Sequence, residues 1–593
     1  MLFSRKTLRQ TQILLFFFLF SLWGAAGVSA QGASSAAYPY AQITQLIKKR
    51  IERYRSQPPG PPDNEKIYAL ESVEDFYKDR NYAPAWFGDK GFADVASMAR
   101  AIRYSAADGL TPEYYHLRTI ADLLGKAYAI YEPGTYVDPG ILVDLDLLLT
   151  DSFFTLAHHL SQGCVNQATF QPEWSIPGAS EDISEVLTTA LEKHRIGEAL
   201  RTFAPHTPEY ASLSKALSRY RKMAKHNNLQ IIPEGRLLKK GMRSERVPEL
   251  RNKLALFGDL EKSSTATGDF FDAPLKQAVA RFQQSHGLRP DGIVGSSTLQ
   301  ELNTPIEQRI LQIMVNMERM RWSNGGRADR YLIVNIARFE LEVVDKGNVV
   351  LSMKVVVGKP FLDTPVFKRK MTYLVLDPVW NIPESIAKEE ILPKIKKDRN
   401  YLKKENITVL RGWGDKEEEV DPQSVKWKSV TPLNLYFRFR QGPGPRNPLG
   451  RIKFMFPNRY NVYLHDTPAR NLFSQDVRTF SHGCIRIEKP LELAEYVLKG
   501  DPRWTKEGIE AAIKKGSTRE VRLPRSLDVY VVYVTAWVDK DGSAEFRDDV
   551  YGRDAVLYDA LVQNPAQPHP FGDPPAMSAT GSKTLQRASR DKM

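Results

Sequence analysis

Cysteine is nearly absent from this 593-residue chain, which has only Cys164 and Cys484. Two thiols cannot build the disulfide framework on which small secreted domains depend. Beyond the N-terminus no apolar run approaches the ~20 residues that cross a bilayer, which excludes a protein built on membrane spans. Long basic blocks and basic runs interleaved with stacking aromatics are also missing, so a net charge of +13 does not make a nucleic-acid binder. Neither CxxC nor HxxxH spacing occurs, and His158 and His159 are adjacent on a helical pattern, where neighbours point apart, so no metal site is expected. With 42% hydrophobic and 26% charged residues the composition is that of a globular protein, and function must come from motifs.

The first informative segment is N-terminal. Arg5, Lys6 and Arg9 precede an apolar run from Ile13 to Leu22, and small residues follow, ending Val28-Ser29-Ala30. This pattern reads as a signal peptide over 1–30, with an uncleaved anchor as the alternative. Without it the net charge is about +10, which suits polyanionic surroundings. The expectation is a protein soluble outside the cytoplasm after cleavage, in an oxidising compartment where a retained free thiol needs a chemical reason. Cys164, in "LSQGCVNQ" after an apolar helical run, reads as a small buried residue.

Residues 31–65, with "QPPGPPDN", read as a linker around one short helix. Helical patterns dominate 66–235, the clearest being Val143, Leu147, Thr150, Phe154 and Ala157 at steps of three and four. A compact unit spans 236–303. One of its apolar stripes is Val247, Leu250 and Leu254, the other Leu275, Val279 and Phe282; Asp272 is placed to cap the second helix, Gly287 to end it, and Asp291-Gly292 to turn the chain into a third. A linking helix is expected within 304–330.

The period then changes to two. Strands are expected on either side of "DKGN" in 331–357, with Leu341 and Val343 facing opposite to Glu340 and Glu342, and again at 371–379, 452–464 and 528–538. Helices are expected at 491–499 and 505–515. The segment 381–446, ending in "QGPGPRNP", is a charged, partly helical insertion in this 331–540 sheet domain, too long for a plain connection and placed to act as a lid. Residues 541–563 extend the sheet domain and 564–593 read as a disordered tail. The expected fold is multidomain α+β: a mainly-β catalytic domain with a helical capping insertion, preceded by an α-helical scaffold and a three-helix domain.

The stretch "YNVYLHDTPARNLFSQDVRTFSHGCIRIEKP" gathers Tyr463, His465, Ser481, His482, Gly483, Cys484 and Arg486. A His-Gly-Cys triplet is expected only about 0.002 times in a shuffled chain of this composition. A thiol attacks a carbonyl as thiolate, and a nearby imidazole can take its proton and return it to a leaving amine. Both histidines qualify. His465, at the end of a strand, is the better-placed base, whereas His482 orients the turn or donates a hydrogen bond. Gly483 permits close approach and offers an N–H, with that of Cys484, to an oxyanion. Tyr463 shares a strand face with His465, so its phenol can reach the same oxygen. Arg486 has the fork of donors that binds a substrate carboxylate, or forms a structural salt bridge.

These residues resemble the L,D-transpeptidase (YkuD-type) catalytic domain: His465 with "HDTP", then "SHGCIRI" with the cysteine nineteen residues beyond the histidine, over about 330–540. The earlier "VVVGKPFLDTPVF", with Gly358, Thr364 and Pro365, is similar to the glycine and Thr-Pro of that family. The segment "AVARFQQSHGLRPDGIVGSSTLQELN" resembles the three-helix peptidoglycan-binding domain, and the whole arrangement resembles large Gram-negative members with scaffold and capping subdomain. The resemblance implies a periplasmic enzyme that acylates Cys484 with the meso-diaminopimelate of a donor tetrapeptide stem, releases D-alanine, and passes the acyl group to an acceptor stem as a 3→3 cross-link, or to water as an L,D-carboxypeptidase. It implies no cofactor, acylation by carbapenems, and donor and acceptor stems, with other wall-synthesis proteins, as partners. A papain-like amidase puts its cysteine before its histidine, the reverse of the order here. A non-catalytic wall-binding protein would have no use for the thiol.

Overall fold

The computed structural model describes residues 40–56, 66–87, 93–127, 138–170, 182–225, 230–261, 268–323 and 327–563. The expected signal peptide and tail lie outside them. The described chain forms two compact units, one of residues 40–95 and 118–152, the other of 96–117 and 153–563.

In the first unit, Tyr40–Ser56 is a seventeen-residue helix whose Ile43, Ile47 and Ile51 are buried at i, i+4 spacing. It is thus a packed element, not the short helix of a linker, because a stripe of β-branched apolar side chains gains about 1.5–3 kcal/mol per residue when buried. Asp146 is fully buried and its carboxylate accepts hydrogen bonds from the backbone N–H of Ala85 (2.9 Å) and Trp86 (3.0 Å) and from the Tyr77 phenol. Thr150, on the expected apolar stripe, is buried because its hydroxyl is used by Tyr77 and the Trp86 indole, both at 2.9 Å.

In the second unit His158 is exposed, whereas His159 is buried with its ring Nδ1 3.0 Å from the Tyr115 hydroxyl. The three helices Val247–Phe257, Ala273–Ser285 and Ser296–Asn303 share one core, and the Asp272 carboxylate accepts from Leu275 N–H at 2.8 Å. The next helix, Ile306–Arg321, does more than link. Ile310, Ile313, Met314 and Met317 pack with Leu213, Leu217 and Tyr220, while Asn316 exchanges two hydrogen bonds with Thr535 at 2.7 and 3.0 Å. Glu318 and Arg321 form a 2.7 Å ion pair that is almost wholly inaccessible.

The sheet domain comprises β1 (Arg330–Asn335), β2 (Glu340–Asp345), β3 (Asn348–Gly358), β4 (Phe367–Leu376), β5 (Trp380–Ile382), β6 (Ile407–Arg411), β7 (Glu418–Val420), β8 (Arg438–Gln441), β9 (Ile452–Met455), β10 (Leu464–His465), β11 (Thr479–Ser481), β12 (Ile485–Ile487), β13 (Arg519–Val532), β14 (Ala536–Val538) and β15 (Ala544–Phe546). Nine strands run in the order β11-β3-β12-β10-β9-β4-β13-β1-β2, and a further β3–β2 pairing closes the ring around one core. The ring comprises eight strands, with β11 outside it on β3, and within it closure removes the unpaired edges that an open sheet exposes. Strand β13 starts nine residues before the expected 528; its pairing with β4 shifts between Arg522 and Leu527, around Pro524, which cannot donate to a ladder. Helices Pro490–Leu498 and Lys506–Lys514 and the C-terminal helix Arg553–Gln563 cover the sheet, the last contributing Leu557 and Leu561 to its core.

The insertion differs from the helical cap expected. Beside helical turns over residues 384–404 it carries its own four-stranded sheet, β5-β8-β6-β7, with Ile382, Ile391, Ile395, Ile407, Val409 and Phe439 as a separate core. Charged residues masked this pattern, because short strands with one exposed face alternate Arg and Glu with the buried positions.

Candidate active site

The expected strand 452–464 is broken in two. Asn458 holds the intervening loop, donating from its amide to Phe456 O (2.8 Å) and Val462 O (2.7 Å) and accepting from Tyr460 N–H (3.0 Å). Asn461 follows at φ 54°, a conformation Asn tolerates better than most residues. Strand β10 is therefore only Leu464 and His465.

Strand register assembles the site. Leu464 pairs with Phe454 of β9 and Ile485 of β12, and all three are buried in the core. His465 pairs with Lys453 and Arg486, so by alternation these three point away from the core together with Tyr463 and Cys484. The Tyr463 and His465 rings are 5.7 Å apart, and Lys453 Nζ lies 3.8 Å from the centroid of the Tyr463 ring.

Cys484 is half-buried, its Sγ 3.8 Å from Asn461 O. Burial pushes its pKa up; hydrogen bonds from the Tyr463 backbone and phenol, and the charges of Lys453 and Arg486, oppose that rise. His465 is 4% exposed, and its Nδ1 is 2.6 Å from Asp466 O. Burial, then the neighbouring Arg486, draw its pKa down to about 3 against the pull of the Asp466 and Pro448 carbonyls. At neutral pH the resting pair is therefore an uncharged thiol and an uncharged imidazole. They share a face, but no hydrogen bond joins them among the described residues. Contacts of this kind are commonly loose until substrate closes the site.

The turn carrying Cys484 is held from within. Buried Ser481 donates from Oγ to Cys484 O (2.5 Å) and accepts from Gly483 N–H (3.1 Å). This corrects the expectation for Gly483: its N–H is occupied by Ser481, leaving Cys484 N–H, which makes no hydrogen bond among the described residues, as the backbone donor for an oxyanion. Glycine is required here by backbone shape, with φ 105°. Behind the turn, Thr364 is fully buried; its Oγ1 donates to Gly483 O (2.9 Å) and accepts from Gly358 N–H (3.0 Å), while Tyr551 donates to Gly358 O (2.6 Å). His482 faces the insertion, its Nε2 3.2 Å from Glu390, which lies in a turn of wide π-type helix, Ala387–Ile391. Arg486 is half-buried, its Nε without a hydrogen-bond partner among the described residues.

Sequence reasoning had not assigned Lys453, Glu390 and Tyr551 to the site, and had noted Thr364 only as part of a motif. Pairing β9 with the histidine strand would have pointed to Lys453. Nothing local marks Glu390 or Tyr551, which arrive from 94 residues before and 67 residues after Cys484. Neither cysteine forms a disulfide among the described residues; Cys164, expected to be buried, is half-buried against the sheet core beside Val165 and Phe170. The arrangement can perform acyl transfer: a sulfur nucleophile, an imidazole on its face to take a proton, and Cys484 N–H with the Tyr463 phenol to meet an oxyanion.

Comparison with known proteins agrees with this chemistry. Residues 329–504 match the family model of the L,D-transpeptidase catalytic domain, 71–217 that of the scaffold domain, and 243–302 that described as "Putative peptidoglycan binding domain". The "Putative L,D-transpeptidase" of Haemophilus influenzae is 34% identical over 259 residues, 43% of this chain and 50% of that protein. The N-acetylmuramoyl-L-alanine amidase CwlM of Mycobacterium tuberculosis is 42% identical over 76 residues, 12% of this chain and 19% of that one. The chain thus spans half or less of the length of these curated relatives. A solved L,D-transpeptidase from Mycobacterium smegmatis aligns at 15% identity over 35% of this chain and 59% of its own, with a TM-score of 0.16, too low to bear on the fold. By its family matches, this chain carries an L,D-transpeptidase catalytic domain, preceded by a scaffold domain and a peptidoglycan-binding domain.

Proposed function

We propose that the chain is an exported peptidoglycan L,D-transpeptidase that forms 3→3 cross-links through an acyl-enzyme on Cys484. The observation that carries the reading is the common face shared by Cys484, Tyr463 and His465 inside a matched catalytic domain. His465 takes the thiol proton as sulfur adds to the carbonyl of the donor's third residue. Cys484 N–H and the Tyr463 phenol bind the resulting oxyanion. Collapse expels the amine of D-alanine, which leaves with the proton from His465, and a thioester remains. The side-chain amine of a second stem then attacks the thioester, gives up its proton through His465 and restores the thiol. Water in place of that amine makes the chain an L,D-carboxypeptidase. Arg486, half-buried and lacking a partner at Nε, suits the carboxylate of the departing D-alanine.

The compartment is the periplasm, where the substrate lies, and the insertion serves as a cap, with Glu390 joining it to His482 beside the nucleophile. A carbapenem is expected to acylate the same sulfur. Incubation with a disaccharide tetrapeptide followed by intact-mass analysis tests the reading: the protein gains one acyl group, D-alanine is released and cross-linked dimers accumulate, and Cys484→Ala does none of these. Continued release of D-alanine by Cys484→Ala would refute it.

A further inference from the structure

Among the described residues the Lys453 ammonium meets no carboxylate, and its packing partner is the ring of Tyr463, 3.8 Å from Nζ to centroid. It is half-buried, and withdrawing an ammonium from water is costly unless an anion is supplied nearby. The register of β9 and β10 sets it opposite His465, on the face that carries the sulfur.

The charged and titratable groups around Cys484 come from four elements. Strand β10 and the residue before it bring His465 and Tyr463, β9 brings Lys453, β12 brings Arg486, and the insertion brings Glu390, already bonded to His482 at 3.2 Å. Two cations thus flank a sulfur atom, and Glu390, the carboxylate near them among the described residues, is bonded to His482. In this half-buried setting a charge pair is worth more than on an open surface.

On the reading of Cys484 as nucleophile, we propose that Lys453 is its positioning residue: the ammonium, packed on the Tyr463 ring, holds the phenol against the sulfur and supplies the countercharge as the thiolate forms. The proton leaving the sulfur goes to His465, and Lys453 keeps its own. Burial lowers the pKa of Lys453 and raises that of Cys484, and in each case the charge of the other group opposes the shift. Lys453 thereby acts without touching substrate.

The test reads the thiol directly. Iodoacetamide alkylation of Cys484 in the full-length protein is followed from pH 5 to 10, with peptide-resolved mass spectrometry to separate it from Cys164. Lys453→Met is expected to slow alkylation at pH 7 on the order of tenfold, moving the profile about one unit to higher pH. Lys453→Arg, which keeps the charge, restores most of the rate, and Lys453→Gln serves if the Met variant does not fold. With substrate, kcat falls while KM stays within about twofold. A profile that superimposes on the wild type despite a lowered melting temperature makes Lys453 merely structural and overturns the proposal. So does a raised KM with unchanged kcat, which would make Lys453 a substrate carboxylate ligand. Failure of the transpeptidase reading shows separately, as D-alanine release that survives Cys484→Ala.

Discussion

Replacing Thr364 by Val probes how the nucleophile turn is held, because the two side chains have nearly the same shape and differ in one hydroxyl. In the structure that hydroxyl joins the buried Gly358 N–H (3.0 Å) to the Gly483 carbonyl (2.9 Å). Val fills the same space but leaves one buried donor and one buried acceptor unmet. Each unmet group costs ~1–3 kcal/mol, so local stability should fall by about 2–6 kcal/mol. In a chain of several domains, local amide hydrogen exchange suits this better than a global unfolding midpoint. Peptides containing Gly358 and Gly483 should lose protection by that amount, and acylation of Cys484 should slow because its turn is no longer fixed from behind. Thr364→Ser retains the hydroxyl and should stay within about 1 kcal/mol of wild type. Protection in Thr364→Val within about 0.5 kcal/mol of wild type would refute the reasoning. So would an equal loss in Thr364→Ser, since the methyl group would then be responsible.

Gly483→Ala should fold, since its new Cβ would come no closer than 3.6 Å to Leu362 O, yet φ 105° costs an L-residue ~1–3 kcal/mol; acylation rate, with melting temperature as control, reads the effect. Gly358→Ala should be worse, because its Cβ would fall within the backbone of Leu362. The depressed pKa of His465, about 3 against an ordinary 6.5, makes the folded state lose stability as pH falls through that window, while above 6.5 it has no effect. Denaturant titrations from pH 7 to 4 should therefore show His465→Gln less acid-sensitive by about 1.4 kcal/mol per pH unit, and parallel curves would contradict the assignment. Glu318→Gln leaves the Arg321 charge buried without its partner and should cost about 3–5 kcal/mol, with the double variant Glu318→Gln/Arg321→Met recovering part of it, as measured by hydrogen exchange in helix Ile306–Arg321.

Much of the fold was legible because periodicity is local. The stripe Val143, Leu147, Thr150, Phe154 and Ala157 is buried at every position, and the Asp272 cap and the turn at Lys346-Gly347 follow from the side chains that sit there. Elements failed where tertiary context outweighed pattern. The helix Tyr40–Ser56 was read only as a short linker helix, because the segment around it is rich in Gln, Ser and Pro. The insertion's sheet was lost among its charges, and the β10 strand was cut short by a loop that Asn458 organises through hydrogen bonds.

At the site, the residue types and the spacing from His465 to Cys484 were enough to identify the chemistry, since a His-Gly-Cys turn beyond a strand-borne histidine is rare in any chain. Sequence alone also placed a glycine before the nucleophile, where the backbone allows close approach. Which donors remain free, which cations lack partners, and that thiol and imidazole rest uncharged were decided only by the closed sheet. Ser481 takes the Gly483 N–H, β9 brings in Lys453, and burial withdraws both reacting groups from water. The physical reason is that hydrogen-bond competition and desolvation depend on atoms brought close by folding, whatever their separation along the chain.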